Sequence, residues 1–246
     1  MKILRNIFIG LACVILGVYA CAKITYPTAM FRYKLTAEVM TPQGLKTGSS
    51  VIEVSYTHFY SLSGSPNLIR SVTGEALFID LGSGKNFIIT LTSGESGRQT
   101  EKEPSAPSFN GALNPLDLPI KVLNLNWPNG RDGAESILAK QVEALRGKEP
   151  ATVPLGFLPT TVMFRNINDP DSVEVVQPES LSQSFGEGYA LVKATLQITD
   201  EMPAERIEGI LTWLPEKKPK DGDVFWSAKD PLIDRLHYIS FKQPIE

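Results

Sequence analysis

Few residues in this chain have the types and spacing for chemistry, and each has a plainer use. A zinc centre or a histidine-based triad would need His58 or His237, the only two histidines. His58 shares an alternating face with Tyr56 and Tyr60, where a hydrogen-bonded histidine serves structure. His237 stands between Leu236 and Tyr238 with no motif around it. Gly82-Ser83-Gly84-Lys85-Asn86 has the look of a phosphate loop, but the Walker pattern needs Gly at Ile79 and Ser or Thr at Asn86. A hairpin turn accounts for it. Gly186-Glu187-Gly188 lacks the third glycine of a dinucleotide fingerprint, because Leu191 stands there. Ser93-Gly94-Glu95-Ser96-Gly97 is not a nucleophile elbow and falls in a polar stretch. Asp169 and Asp171, with Asn166 and Asn168, are oxygen-rich. They lack calcium-loop spacing and its closing glutamate, so an Asx-type turn is expected. The sequence thus yields no catalytic, metal or cofactor residue.

The remaining reactive group is Cys21. Both cysteines, Cys13 and Cys21, lie in the first twenty-two residues, so residues 23–246 can form no disulfide or thiolate site. Lys2 and Arg5 precede an uncharged apolar run over residues 7–22. This is the pattern of a basic n-region and an apolar h-region. Three fates are open, ranked in this order. Retention gives a membrane anchor: sixteen residues reach about 24 Å against a bilayer core of about 30 Å, and Ile3 and Leu4, with Lys2 and Arg5 snorkelling, close the gap. Cleavage after Ala22, at small-x-small Ala20-Cys21-Ala22, releases a soluble protein starting at Lys23. Lipidation at Cys21 follows if Val18-Tyr19-Ala20-Cys21 is read as a lipoprotein signal, although Tyr19 stands where a small residue is usual. Retention favours an N-terminus on the cytoplasmic side, while Lys23, Arg32 and Lys34 weaken that bias.

The elements that must position any site follow from periodicity. Residues 31–39 alternate: Phe31, Tyr33, Leu35, Ala37 and Val39 against Arg32, Lys34, Thr36 and Glu38. A turn at Thr41-Pro42-Gln43-Gly44 precedes a second strand over 50–60, whose Ile52, Val54, Tyr56, His58 and Tyr60 share a face. The two are expected to pair as a hairpin with a long connection. Residues 61–67 read as a loop, and 75–81 and 86–92 as a further hairpin. Residues 93–119 are rich in Ser, Gly and Pro and read as a long polar loop, the place for disorder or for an interaction surface, with strand edges as the other candidate contact surface. Residues 132–146 form the one amphipathic helix, with Ile137, Leu138, Val142 and Leu145 as its stripe and Gly147 as its stop. Short strands are expected over 160–164 and 173–176, and a short helix over 178–185. A long strand over 189–199 should bury Ala190, Val192, Ala194, Leu196 and Ile198. Residues 207–214 are apolar and ambiguous, and 232–241 read as helix passing into strand.

The fold class is therefore α+β, mainly antiparallel, in one domain over 31–246 after a linker over 23–30 and the leader over 1–22. A net charge of −3 from 24 basic and 27 acidic side chains gives no reason to expect a nucleic acid partner.

Two stretches carry a resemblance. They are Phe31-Arg32-Tyr33-Lys34-Leu35-Thr36 with Thr47-Gly48-Ser49-Ser50-Val51-Ile52-Glu53-Val54 and Gly74-Glu75-Ala76, and the later Val162-Met163-Phe164-Arg165-Asn166-Ile167-Asn168-Asp169-Pro170-Asp171-Ser172-Val173. Phe185-Gly186 and Thr195-Leu196-Gln197-Ile198-Thr199-Asp200 extend the second. They resemble an uncharacterised group of proteobacterial proteins whose members often begin with one hydrophobic segment. The resemblance implies an anchor and carries no activity. The expectation is a non-enzymatic binding or interaction module of the cell envelope, facing the periplasm, with the membrane as one partner through residues 1–22. An exported hydrolase with an unrecognised carboxylate or serine site is the alternative.

Overall fold

A computed structural model describes residues 10–11, 28–60, 66–93, 113–126, 134–218 and 238–243, of which 58–60, 66–68 and 134 are described as backbone alone. The expectations for Cys21, His237 and residues 94–112 lie outside the described residues, as does the side chain of His58.

Among the described residues, to which all counts of strands and helices here refer, ten strands pair antiparallel throughout and form two sheets. In chain order they are β1 (Thr28–Thr41), β2 (Gly44–Tyr60), β3 (Pro66–Glu75), β4 (Leu77–Gly82), β5 (Lys85–Ile89), β6 (Ala151–Thr152), β7 (Thr161–Phe164), β8 (Val173–Val175), β9 (Ala190–Thr199) and β10 (Lys242–Gln243). The larger sheet has the order β10-β3-β2-β1-β9-β6 and the smaller one β4-β5-β7-β8. Four short helices join them: α1 (Asp117–Val122), α2 (Ala134–Ala144), α3 (Leu181–Phe185) and α4 (Ile207–Ile210). The class is mainly antiparallel β with a few short helices.

The alternation in β1 does what such a pattern requires. Phe31, Tyr33, Leu35, Ala37 and Val39 are buried, and their neighbours are half-buried on the outer face. That inner face meets Leu77, Ile79 and Leu81 of β4 and Phe87 and Ile89 of β5 in one core. Each large apolar side chain buried there contributes roughly 1.5–3 kcal/mol of transfer free energy. The smaller sheet is covered on its other side too. Ile88, Val162 and Phe164 pack under Ile207, Leu211, Trp213, Leu214, Tyr238 and Phe241. Phe164, Trp213 and Phe241 stack with centroids 5.4–6.0 Å apart. The molecule is thus three layers: large sheet, small sheet, and a C-terminal layer of short turns.

Several expectations need correction. The β1–β2 hairpin is tight: Thr41 pairs with Gly44, leaving only Pro42 and Gln43 between, and Gly44 has φ +112°. The Thr41 hydroxyl donates to the Gly44 carbonyl at 2.8 Å and closes the turn. β3 begins where a loop was expected, its Pro66 at the first strand position where no ladder donor is needed. The long polar loop ends earlier than residue 119. From Leu113 the chain packs on the core, with Leu118 buried, and α1 starts at Asp117. In β9 the inward residues are Leu191, Ala194, Leu196 and Ile198, whereas Ala190 and Val192 are exposed. The register with β1 slips between Glu38 and Val39, so that Val192 is an extra, bulged residue. A bulge inserts one residue and reverses the face of everything beyond it. Helix α2 ends at Ala144, before the 146 that its pattern suggests, and it buries Leu138 and Val142 while Ile137 is exposed.

The two sheets approach most closely at Gly48. A Cβ there would stand 2.6 Å from the Phe78 carbonyl oxygen and 2.6 Å from Ile79 Cγ1. The backbone cannot yield as a side chain would. Gly48→Ala is therefore expected to lower unfolding free energy by about 1–2 kcal/mol, read as a lower urea midpoint at unchanged slope. An unchanged midpoint would show that β2 and β4 have room to part.

Candidate ligand-binding cleft

The chain leaves the large sheet at Glu75, the last residue of β3, and enters the small one at Leu77. At this corner Gly74 has φ +140°, and a Cβ on it would stand 2.8 Å from the Val51 carbonyl oxygen. Only glycine suits both demands. The Ser50 hydroxyl donates to the Glu75 carbonyl at 2.6 Å, and the Ala76 N–H to the Phe241 carbonyl at 2.7 Å. The corner is thereby fastened to β2 and to the C-terminal layer.

The Glu75 side chain is 3% exposed. Its Oε2 accepts from the backbone N–H of Arg206 at 2.6 Å and of Ile207 at 2.9 Å. Its Oε1 accepts from Arg206 Nε at 3.3 Å. The guanidinium also donates through Nη2 to the Ser49 carbonyl at 3.1 Å. One buried carboxylate thus fixes the start of α4 with charge-assisted bonds. Beside it opens a cleft of about 280 Å³, bounded by Thr47, Ser49, Phe78, Arg206 and Ile210 as well as Glu75. Another hollow, between 155–161 and 175–179, holds about 20 Å³, roughly room for a water.

With both Glu75 oxygens accepting hydrogen bonds from Arg206 and Ile207, the carboxylate at this cleft positions the start of α4. The cleft presents the Thr47 and Ser49 residues and a guanidinium above an apolar floor, which suits binding.

Two further polar clusters are structural in the same sense. Tyr33 donates to the Pro115 carbonyl at 2.8 Å and Tyr56 to the Leu116 carbonyl at 2.6 Å, pinning the stretch before α1 onto the large sheet. Burial pushes both phenols well above their ordinary pKa, with Tyr56 adding to the shift at Tyr33 and Asp117 to that at Tyr56. In the C-terminal layer, Glu208 accepts from Lys242 and from Tyr238, each at 2.8 Å. Lys242 first, then Tyr238, holds the Glu208 carboxyl below the usual carboxylate range.

The residues weighed in the sequence fall apart in space. Gly82 and Gly84 take positive φ in the β4–β5 turn, and Lys85 donates to the Phe185 carbonyl at 2.7 Å while lying 4.5 Å from the Tyr189 ring centroid. It is a cross-link between elements. Asp169 accepts from the Asp171 N–H at 3.0 Å and Asn166 from the Asn168 N–H at 3.2 Å, which are Asx turns. Among the described residues no three His, Cys, Asp or Glu side chains cluster as metal ligands would. Likewise, no described helix is long and apolar enough to cross a membrane.

Sequence reasoning did not single out Glu75 or Arg206. They lie 131 positions apart, and the one local signal is a charged residue at the break in an apolar run. No protein-family model, curated protein or solved structure matches this chain.

Proposed function

We propose that this protein is a non-enzymatic binding or interaction module of the cell envelope, held at the cytoplasmic membrane by residues 1–22 with its sheets on the far side. The observation that carries the reading is the outer edge of β3. Among the described residues β10 pairs with it only at Gly74 and Glu75, and no second strand is described beside residues 66 to 73. An open strand edge is a row of backbone donors and acceptors ready to take a further strand. The occupant is an extended polypeptide segment added antiparallel or parallel to β3. The hydrolase alternative has less support, because the buried carboxylate at the cleft is fully engaged in holding α4.

Photo-cross-linking tests this. A photoreactive residue replacing Ser71 or Thr73, in the full chain in its own envelope, is expected to capture a polypeptide. One replacing Thr36, in the interior strand β1, is not. Capture from all three positions alike, or from none, would remove the edge as the binding surface.

A further inference from the structure

The large sheet has two ends, and the strand directions say which is which. The β1–β2 turn lies at one. The start of β1, the end of β2, the start of β3 and the end of β9 lie at the other. This second end is where the chain arrives from the leader. Residues 23–27 separate the apolar run from Thr28 and span at most about 18 Å. The far end of β1 stands roughly 45 Å away along the strand.

The near end exposes large apolar residues on its outer face, set among the hydroxyls of Thr28, Ser55, Thr57 and Ser71. Met30 is 59% exposed and Ile69 54%. Met30 pairs with Ser55, which pairs with Ser71, so Met30 and Ile69 stand on the same side two strands apart. Met202, 64% exposed, follows three residues after the end of β9. Exposed apolar side chains at the rim of a domain suit a membrane interface, where they reach the headgroup and acyl boundary while the backbone stays wet.

Among the described residues the cations at this end stand beside carboxylates. Arg32 bonds Glu53 at 2.6 Å, Lys34 bonds Glu201 at 2.9 Å, Arg146 is paired with Asp200, and Arg70 stands 3.8 Å from Asp117. A contact through this surface draws on apolar burial and gains little from anionic lipid.

We infer that the sheet end carrying Met30, Ile69 and Met202 rests in the headgroup layer of the membrane that holds the leader. The inference rests on the reading of residues 1–22 as a retained anchor. The strand backbone goes no deeper than the headgroups, because an open sheet edge cannot be satisfied in hydrocarbon.

The test uses the full chain in phosphatidylcholine vesicles containing a lipid with a photoreactive group just below the headgroup, with adducts mapped by mass spectrometry. Adducts are expected on residues 28–30, 66–70 and 200–202. Their yield should be at least about fivefold that on 40–45 and 190–193, the equally apolar far end, and unchanged in high salt or with added phosphatidylglycerol. Adducts on the leader alone would overturn the inference and leave the anchor standing. Equal yields at the two ends, or cross-links between copies at Met30 and Ile69, would also overturn it. A chain found outside the vesicles with no adducts would overturn both the inference and the anchor.

Discussion

Raising the pH past about 10 is expected to unfold this protein steeply, through two tyrosines. Tyr33 and Tyr56 are buried with their hydroxyls donating to backbone carbonyls, and burial raises both pKa values well above the ordinary phenol range. The folded chain therefore keeps these protons where the unfolded chain releases them. A group whose folded pKa is raised gives stability that is full below the unfolded pKa and is lost as pH climbs towards the folded one. Each phenol then costs about 1.4 kcal/mol per pH unit, so the pair costs about 3 kcal/mol per unit above pH about 10. Urea midpoints between pH about 8 and about 11, with phenolate absorbance followed in parallel, read this directly. The phenolate signal of two tyrosines should appear only with unfolding. Tyr33→Phe with Tyr56→Phe should make the alkaline limb shallower, leaving the share due to Tyr238, whose phenol burial and then Glu208 also push up, while losing about 1 kcal/mol per hydroxyl at neutral pH. A wild-type midpoint constant across this range would show that the two phenols ionise in place.

Removing Glu75 should detach the C-terminal layer. Glu75→Ala leaves the N–H of Ile207, a residue 1% exposed, without its acceptor, and leaves the Arg206 N–H and guanidinium without theirs. Stranded buried donors cost about 1–3 kcal/mol each, so a loss of about 3 kcal/mol is expected. Arg206→Ala should cost under about 1 kcal/mol. That side chain is 65% exposed, and the backbone bonds to Glu75 survive the change. Trp213 is 8% exposed and packs against Phe164 and Phe241, so its fluorescence reports the layer. Glu75→Ala should shift that emission to the red at denaturant concentrations where the large sheet persists. If Arg206→Ala destabilises as much as Glu75→Ala, the ion pair and not the helix start is what the carboxylate secures.

Much of the sheet architecture could be read from the chain, because alternation is a local signal and burial enforces it. β1, β7, β8 and the short helix at Leu181–Phe185 follow from neighbouring residues alone. What escaped depends on contacts across the molecule. β3 reads as polar because among the described residues it pairs on one side with β2 for its whole length and on the other with β10 only at Gly74 and Glu75, where Ser71 and Thr73 serve as well as apolar residues. The bulge in β9 is hidden because Leu191 and Val192 are both apolar, and only pairing with β1 decides which turns inward. The cleft escaped altogether, since its carboxylate and guanidinium meet through a sheet change that no spacing announces.

That sheet change also governs how the chain acquires its structure. The corner at Ala76 is closed by Phe241, and the Leu91 N–H is closed by Ser240, contacts about 150 to 165 residues apart in sequence. β1 likewise finds β9 only after about 160 residues have passed. Such distant partners put the search for native pairings in the slow range, milliseconds to seconds. A nascent chain emerging at a ribosome of about 5–20 residues per second holds its first two hairpins for many seconds before the segment around Phe241 exists to lock them. The early strands must stay unaggregated over that wait. Paired charges such as Arg32 with Glu53, set across the outer face of β1 and β2, protect them once the first hairpin has formed.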